Sequence, residues 1–210
     1  MITIEEKDVI FSFIKENLEF FYQENFDGFS DFFDEIMAPK GFFHECGTTK
    51  HCITHPNFEG YVVKFTDMYE DFDYCEREYT NYLAAEERGL ESYFPYTAFL
   101  GNFNKINFYI QEFAICDPSN ISETWYKELR KSHEGEETGE DSISCSVWNI
   151  VDELEDYERI QILYDNDKLN DFLYEYKIND LHEYNFGYID DRLVIIDFSG
   201  YGDKAVKRGF

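Results

Sequence analysis

The sequence predicts an α+β fold, and two patterns lead to this prediction. Five runs rich in β-branched and aromatic residues lie between residues 41 and 115, separated by glycine and asparagine turns. One helical run, at 71–89, interrupts these strands. Hydrophobic residues form 43% of the 210-residue chain, and aromatic residues 20%, so a ring-rich packed core is expected. We therefore expect an antiparallel sheet with one helix packed on it.

The first helix is predicted over residues 5–24. Its apolar side chains recur at steps of three and four residues, namely at Val9, Ile10, Phe13, Ile14, Leu18 and Phe21. A second, short helix is expected at 26–33, with Pro39 and Gly41 marking its end. Residues 1–40 are thus predicted to be an N-terminal helical extension.

The five strands are expected at 41–46, 50–54, 61–65, 94–100 and 106–115. Gly47, Thr48 and Thr49 predict a tight turn between the first two strands. The segment G-N-F-N-K, residues 101–105, predicts the hairpin turn between the last two. Gly89 is expected to cap the carboxyl end of the 71–89 helix.

The remainder of the chain, residues 116–210, is expected to be mostly helical. Its predicted elements are a helix at 121–131, a polar surface loop at 132–146, two helices at 147–164 and 167–177, and a buried strand at 193–196. Between the last helix and that strand, the segment N-D-L-H-E-Y-N-F-G is loop-like.

The formal net charge of −27 repels nucleic acid and anionic membranes, so neither is expected as a direct partner. Three interpretations of this charge stay open. The charge keeps the chain soluble, which is the commonest role, or it favours a basic protein partner, or it imitates nucleic acid towards such a partner.

The cysteine and histidine patterns bear on compartment and metal content. Five cysteines, an odd number without C-x-x-C spacing, predict reduced thiols and no zinc site. The five histidines form no H-x-x-x-H pair. No secretory signal and no stretch of about 18 uncharged apolar residues is visible. The expected location is the cytoplasm, or the host cytoplasm if the source is viral.

Three separated segments carry residues suited to phosphate chemistry. G-Y-V-V-K-F places Lys64 where its ammonium can pair with phosphate oxygens, although alone a solvated surface lysine is the commoner outcome. D-L-H-E-Y-N places Asp180, a proton acceptor, near Asn185, a ligand for Mg²⁺; an Asx-rich turn is an equal alternative. L-V-I-I-D-F-S-G places Asp197 at a strand end, as a metal ligand or simply as a charged turn residue.

In this order, the segments resemble the protein-kinase superfamily, and in particular minimal bacterial or phage kinase-like proteins. The resemblance implies a kinase-like N-lobe at 41–115 and a truncated, mostly helical C-lobe at 116–210. The truncation is expected because the chain ends soon after Asp197, without an activation segment. The spacing from Asp180 to Asp197 suits a short β-hairpin between them.

The resemblance also implies ATP and Mg²⁺ as cofactors. Lys64 and Asp180 would then be catalytic, with Asp180 orienting an acceptor hydroxyl, while Asn185 and Asp197 would bind the metal. The glycine turn of Gly47, Thr48 and Thr49 would cover the phosphates, more weakly than a full glycine-rich loop.

Two further positions follow from the same resemblance. The helix partner of Lys64 is expected to be Glu78, because Tyr82 and Ala85 share its helical face; Glu76 is the alternative. In Y-I-Q-E-F-A, the backbone around Glu112 and Phe113 would meet the adenine edge.

Departures from the family pattern leave two functions open. H-R-D is replaced by I-N-D, and Ser199 is inserted in D-F-S-G. The expected function is ATP-dependent phosphoryl transfer to a small-molecule or protein hydroxyl, with the acceptor unknown. The alternative is a catalytically inactive, acidic kinase-like binding protein or phage effector that engages a basic or nucleic-acid-binding partner.

Overall fold

The computed structural model describes residues 2–23, 28–46, 49–66, 70–115, 167–178, 185–190 and 192–200. These residues belong to two compact units. The first unit includes Met1–Tyr79 and Tyr96–Phe113, and the second includes Thr80–Pro95 and Ala114–Lys204. The elements predicted at 121–131, 132–146 and 147–164 lie outside the described residues.

The predicted five-stranded antiparallel sheet is present in the first unit, and the chain is a mixed α+β protein. The strands are β1 (Phe43–Cys46), β2 (Lys50–Thr54), β3 (Tyr61–Thr66), β4 (Thr97–Phe103) and β5 (Ile106–Glu112). Their order is β1-β2-β3-β5-β4, and each neighbouring pair is antiparallel.

The hairpin between β4 and β5 differs from its prediction. Only Asn104 and Lys105 form the turn, both with positive φ (50° and 68°), as a tight two-residue hairpin requires. Gly101 to Phe103 were predicted as turn residues, but they continue β4 beyond a register shift at Phe99 and Gly101. The shift accommodates Leu100 as one extra residue between Phe99 and Gly101, and the strand continues beyond it.

The α-helices of the described residues are α1 (Ile4–Gln23), α2 (Phe29–Phe32), which continues into a π-helical turn at Phe33–Met37, α3 (Tyr74–Glu87) and α4 (Asp167–Glu175). None of them is long and apolar enough to cross a bilayer.

Local signals explain two helix ends. At the start of α1, Thr3 Oγ1 accepts the Glu6 amide at 3.2 Å, and Glu6 Oε2 accepts the Thr3 amide at 2.7 Å, which is a capping box. At the end of α3, Gly89 has a φ of +69°, and the amide of Leu90 donates to the Ala85 oxygen at 2.8 Å. The predicted glycine cap is therefore confirmed, in the Schellman form.

The sheet has one apolar and one polar face, because alternate residues of a strand point to opposite sides. The apolar face packs against α1 and the π-helical turn in one buried core that includes Ile10, Ile14, Met37, Ile53, Val63, Phe65, Phe108 and Ile110. Residues 1–40, expected as a helical extension, thus supply part of this core. The strand register gathers Lys50, Lys64, Thr66, Tyr109 and Gln111 on the other face, which we call the polar face.

The second unit contains a hairpin of β6 (Phe186–Ile189) and β7 (Arg192–Ile195). The hairpin predicted between Asp180 and Asp197 is therefore present. The assignment of residues 186 and 187 to a loop was wrong, because they pair with β7. The core of this unit is aromatic and includes Phe94, Phe172 and Phe198, and the rings of Phe94 and Phe198 lie 4.8 Å apart.

Candidate functional site

A buried ion pair occupies the polar face. Lys64, on β3, places its Nζ 3.1 Å from Oε1 and 3.4 Å from Oε2 of Glu78, on α3. The Glu78 side chain is 1% exposed and that of Lys64 is 10% exposed. The ion pair predicted between Lys64 and the helix is thus made by Glu78, the preferred candidate. It holds an ammonium in a fixed position where water has little access.

Asp73 fixes the start of α3, and so the position of Glu78. Its Oδ1 accepts the Thr66 hydroxyl at 2.9 Å and the Glu76 amide at 3.0 Å, and its Oδ2 accepts Asn107 Nδ2 at 3.0 Å. Asp73 therefore caps the helix and ties it to both β3 and β5. Sequence reasoning missed Asp73, although D-Y-C-E has capping-box spacing.

A second buried lysine lies beside this pair and was also missed. Lys50 is the first residue of β2, and its Nζ is 3.8 Å from Glu78 Oε2. Its side chain is 8% exposed. The sequence holds a signal for Lys50, because it directly follows the predicted glycine turn. It also lies two residues before Cys52 on the same predicted strand, so both side chains are expected on one face.

The remainder of the polar face is neutral and hydrogen bonded. Gln111 Nε2 donates to Thr97 Oγ1 at 3.0 Å, and both residues are buried. Burial, with Asp73 as the next cause, raises the pKa of the Tyr109 hydroxyl far above its ordinary value. Tyr109 therefore stays protonated at neutral pH and contributes no negative charge beside Lys64, its neighbour on β3.

The backbone predicted to meet adenine lies at the end of β5. The Glu112 amide donates to the Tyr96 oxygen, and the Phe113 amide donates to the Gly60 oxygen, both at 2.9 Å. Both N–H groups are thus already used within the first unit. A base at this edge would therefore have to bind other backbone groups. The Phe113 side chain is 48% exposed.

Three of the predicted residues cannot be placed. Gly47 and Thr48, of the glycine turn, and Asp180, the proposed orienting carboxylate, lie outside the described residues. Thr49, the third turn residue, is half-buried and directly precedes Lys50.

The two predicted metal ligands both lie in the second unit, beside the hairpin of β6 and β7. Asn185 directly precedes β6, and its backbone oxygen accepts the Ile196 amide at 2.9 Å. This pairing extends the hairpin ladder, so Asn185 and Asp197 lie at the same end of the hairpin. Asn185 is buried, and Asp197 is half-buried.

The donor set at Asn185 and Asp197 fits Mg²⁺. Carboxylate and amide oxygens suit this cation, which usually takes one or two protein ligands and completes its shell with phosphate and water. The inserted Ser199 donates its hydroxyl to Asp197 Oδ1 at 3.2 Å, which orients the carboxylate. Among the described residues, no group of three or more His, Cys, Asp and Glu is arranged to hold a metal.

The D-F-S-G segment is held at two positions after Asp197. Asn81 Nδ2 donates to the Phe198 oxygen at 2.7 Å, and the Phe198 side chain is fully buried. Gly200 has a φ of +68° and lies against the Lys177 backbone. Because no Cβ fits there, glycine is required at this position.

Comparison of the sequence with protein-family models and with curated proteins finds no match in either set. Within the first unit, the geometry therefore provides a buried, oriented ammonium on a polar sheet face. Within the second unit, it places Asn185 and Asp197 at one end of a hairpin.

Proposed function

We propose that this chain is an Mg²⁺- and ATP-dependent phosphotransferase that acts on a small-molecule or protein hydroxyl. The observation that carries the proposal is the buried ion pair of Lys64 and Glu78, at 3.1 Å, on the polar face of an antiparallel sheet. A lysine is rarely buried unless an ion pair compensates its desolvation, as Glu78 does here. An ammonium that is held in one position in this way is suited to bind phosphate oxygens.

The pair assigns separate roles to its two residues. Lys64 would bind phosphate oxygens of ATP, and Glu78 would keep the ammonium in position when no nucleotide is bound. Because the site is shielded from water, the attraction between ammonium and phosphate is stronger than at an exposed lysine. Charge on the transferring phosphoryl group would be stabilised in the same way.

Asn185 and Asp197 are the residues that would hold Mg²⁺, which neutralises phosphate charge when bound. Asp180 would accept a hydrogen bond from the acceptor hydroxyl and align it with the γ-phosphorus. The hydroxyl oxygen forms the new P–O bond, the bond to the β,γ-bridging oxygen breaks, and ADP leaves. The hydroxyl proton passes to Asp180.

The test is incubation of the purified chain with γ-labelled ATP and Mg²⁺, alone and with a panel of small hydroxyl compounds and proteins. Wild type should label itself or an acceptor. Asp180→Asn should bind Mg·ATP yet lose transfer, whereas Asp197→Asn should lose metal-dependent binding as well. Lys64→Met should bind ATP weakly or not at all. Glu87→Gln, an exposed change on α3, serves as the matched control.

Two results would contradict the proposal. Equal, non-zero labelling by wild type and Asp180→Asn would remove Asp180 from the mechanism. Failure of wild type to bind Mg·ATP would favour the acidic binding protein, for which the net charge of −27 is the supporting observation.

In a thermal melt, ATP at 100 times its dissociation constant should stabilise wild type by about 2.7 kcal/mol.

A further inference from the structure

The register of β2 and β3 places two lysines on the same face of the sheet. Lys50 lies opposite Thr66, and Lys64 lies opposite Cys52. Partners across two neighbouring strands point to the same face of the sheet, and so do residues two apart on one strand. The side chains of Lys50 and Lys64 are therefore diagonal neighbours on the polar face. Long side chains at such positions can reach a common ligand.

Both lysines are directed towards the same carboxylate. Oε2 of Glu78 is 3.4 Å from the Nζ of Lys64 and 3.8 Å from the Nζ of Lys50. The two ammonium groups therefore lie no more than about 7 Å apart, and they repel each other in a region that water screens poorly.

The convergence of the two ammonium groups points to the ligand class. A metal cation is disfavoured beside them, whereas an anion with several negative charges can contact both. Lysine binds phosphate as a point charge with three donors, so two such groups suit a chain of phosphoryl groups.

We infer that Lys50 is a second phosphate-binding lysine, and that Lys50 and Lys64, both held by Glu78, form a two-lysine site for a polyphosphate chain. The identity of that ligand as the triphosphate of ATP rests on the function proposed above. Lys50, Lys64 and Glu78 all belong to the first unit.

The test compares wild type with Lys50→Met, Lys50→Arg and Lys105→Met. Lys105 is the control, because it is exposed in the β4–β5 turn of the same sheet. Calorimetric titration would use three probes, namely ATP, inorganic tripolyphosphate and adenosine. Lys50→Met should weaken binding of ATP and tripolyphosphate about tenfold or more, as expected for a lost bond to a charged group. Adenosine affinity should not change, Lys50→Arg should restore most of the loss, and Lys105→Met should match wild type.

A second measurement covers the case in which Lys50→Met does not fold. Wild-type protein is acylated with a lysine-directed reagent, with and without ATP, and the modified sites are quantified by mass spectrometry. ATP should protect Lys50 and Lys64 several-fold more than Lys105. Equal protection of Lys50 and Lys105 would overturn the inference, whatever the variants do.

The outcomes separate this inference from the proposed function. If wild type binds ATP and Lys50→Met binds it equally well, the two-lysine site is wrong and the proposed function stands. If wild type binds tripolyphosphate through Lys50 but does not bind ATP, the site stands and the nucleotide function is wrong. If wild type binds neither ATP nor tripolyphosphate, the two-lysine site and the proposed function are both wrong.

Discussion

The side-chain amide of Asn81 donates a hydrogen bond of 2.7 Å to the backbone oxygen of Phe198. Asn81 is 3% exposed, and the Phe198 side chain is fully buried. A hydrogen bond to a buried carbonyl is stabilising chiefly because leaving that oxygen unpaired is costly. The contact therefore fixes the backbone beside Asp197, one of the two proposed metal ligands.

The first prediction removes this contact. Asn81→Ala should destabilise the chain by about 1–3 kcal/mol, the cost of leaving a buried polar group unsatisfied. Urea denaturation followed by far-UV circular dichroism measures the change. The control is Asn102→Ala, which removes an exposed hydrogen bond to Asn107 and should cost less than about 1 kcal/mol. Equal losses in the two variants would show that the buried hydrogen bond of Asn81 stabilises the chain no more than an exposed one does.

The second prediction concerns the carboxylate shared by the two lysines. Glu78→Gln should destabilise the first unit by about 3–5 kcal/mol, because it leaves the buried ammonium groups of Lys64 and Lys50 without this counter-ion. Glu87→Gln, at an exposed position of the same helix, should change stability by less than about 0.5 kcal/mol. Equilibrium denaturation of both variants checks the difference. A stability of Glu78→Gln close to that of wild type would mean that the ion pair is solvated.

The third prediction compares two glycines with nearly identical backbone angles. Gly200 and Gly89 have φ values of +68° and +69°, but a Cβ at Gly200 would overlap the Lys177 backbone, whereas a Cβ at Gly89 meets nothing within 4 Å. Gly89→Ala should cost about 1–2 kcal/mol from the left-handed backbone alone. Gly200→Ala should cost clearly more, because the backbone of Lys177 must also move. Thermal denaturation of both variants gives the comparison, and equal losses would contradict the close approach.

The fourth prediction is a pH dependence that arises from His44. His44 Nε2 is 2.9 Å from His51 Nδ1, among the rings of Phe29 and Phe33. Burial, and secondly the charge of His51, lower the pKa of His44 to about 4, while Asp34 opposes this shift. The unfolded chain therefore binds a proton at His44 more readily than the folded chain does.

The sign of the effect follows from linkage. Stability linked to His44 is fully present above the ordinary histidine pKa of about 6.5, and it is lost as pH falls towards about 4. Since His44 is only half-buried, we expect a loss of about 1 kcal/mol across this window. Urea denaturation of wild type and His44→Gln at pH 7 and pH 4.5 isolates the contribution of His44, because both proteins carry the same carboxylates. If the two proteins lose stability in parallel, His44 does not titrate in this way.

Local patterns were sufficient to predict most elements of the first unit. Runs of β-branched and aromatic residues bounded by turn residues predicted β2 and β3 with nearly correct bounds. The choice of Glu78 over Glu76 also came from periodicity. Tyr82 and Ala85 were expected on the buried side of the helix with Glu78, and all three are buried.

Other features depend on contacts between distant segments and could not be predicted locally. The register of β2 against β3 sets Lys50 opposite Thr66 and within reach of Glu78. Likewise, the bond from Asn81 to Phe198 joins positions 117 residues apart. Gly101 has strong turn propensity, yet the strand pairing with Phe108 keeps it within β4.

The alternation of the sheet separates two kinds of selection along the same strands. Val63 is fully buried in the apolar core, while its neighbour Lys64 belongs to the polar face. A saturation scan of β2, β3 and β5 should therefore give two interleaved phenotypes with a period of two residues. Odd positions of β3 would report packing of the apolar core, and Lys64 would report the buried ion pair with Glu78. Such interleaving would let the polar face change during evolution while the hydrophobic core remains the same.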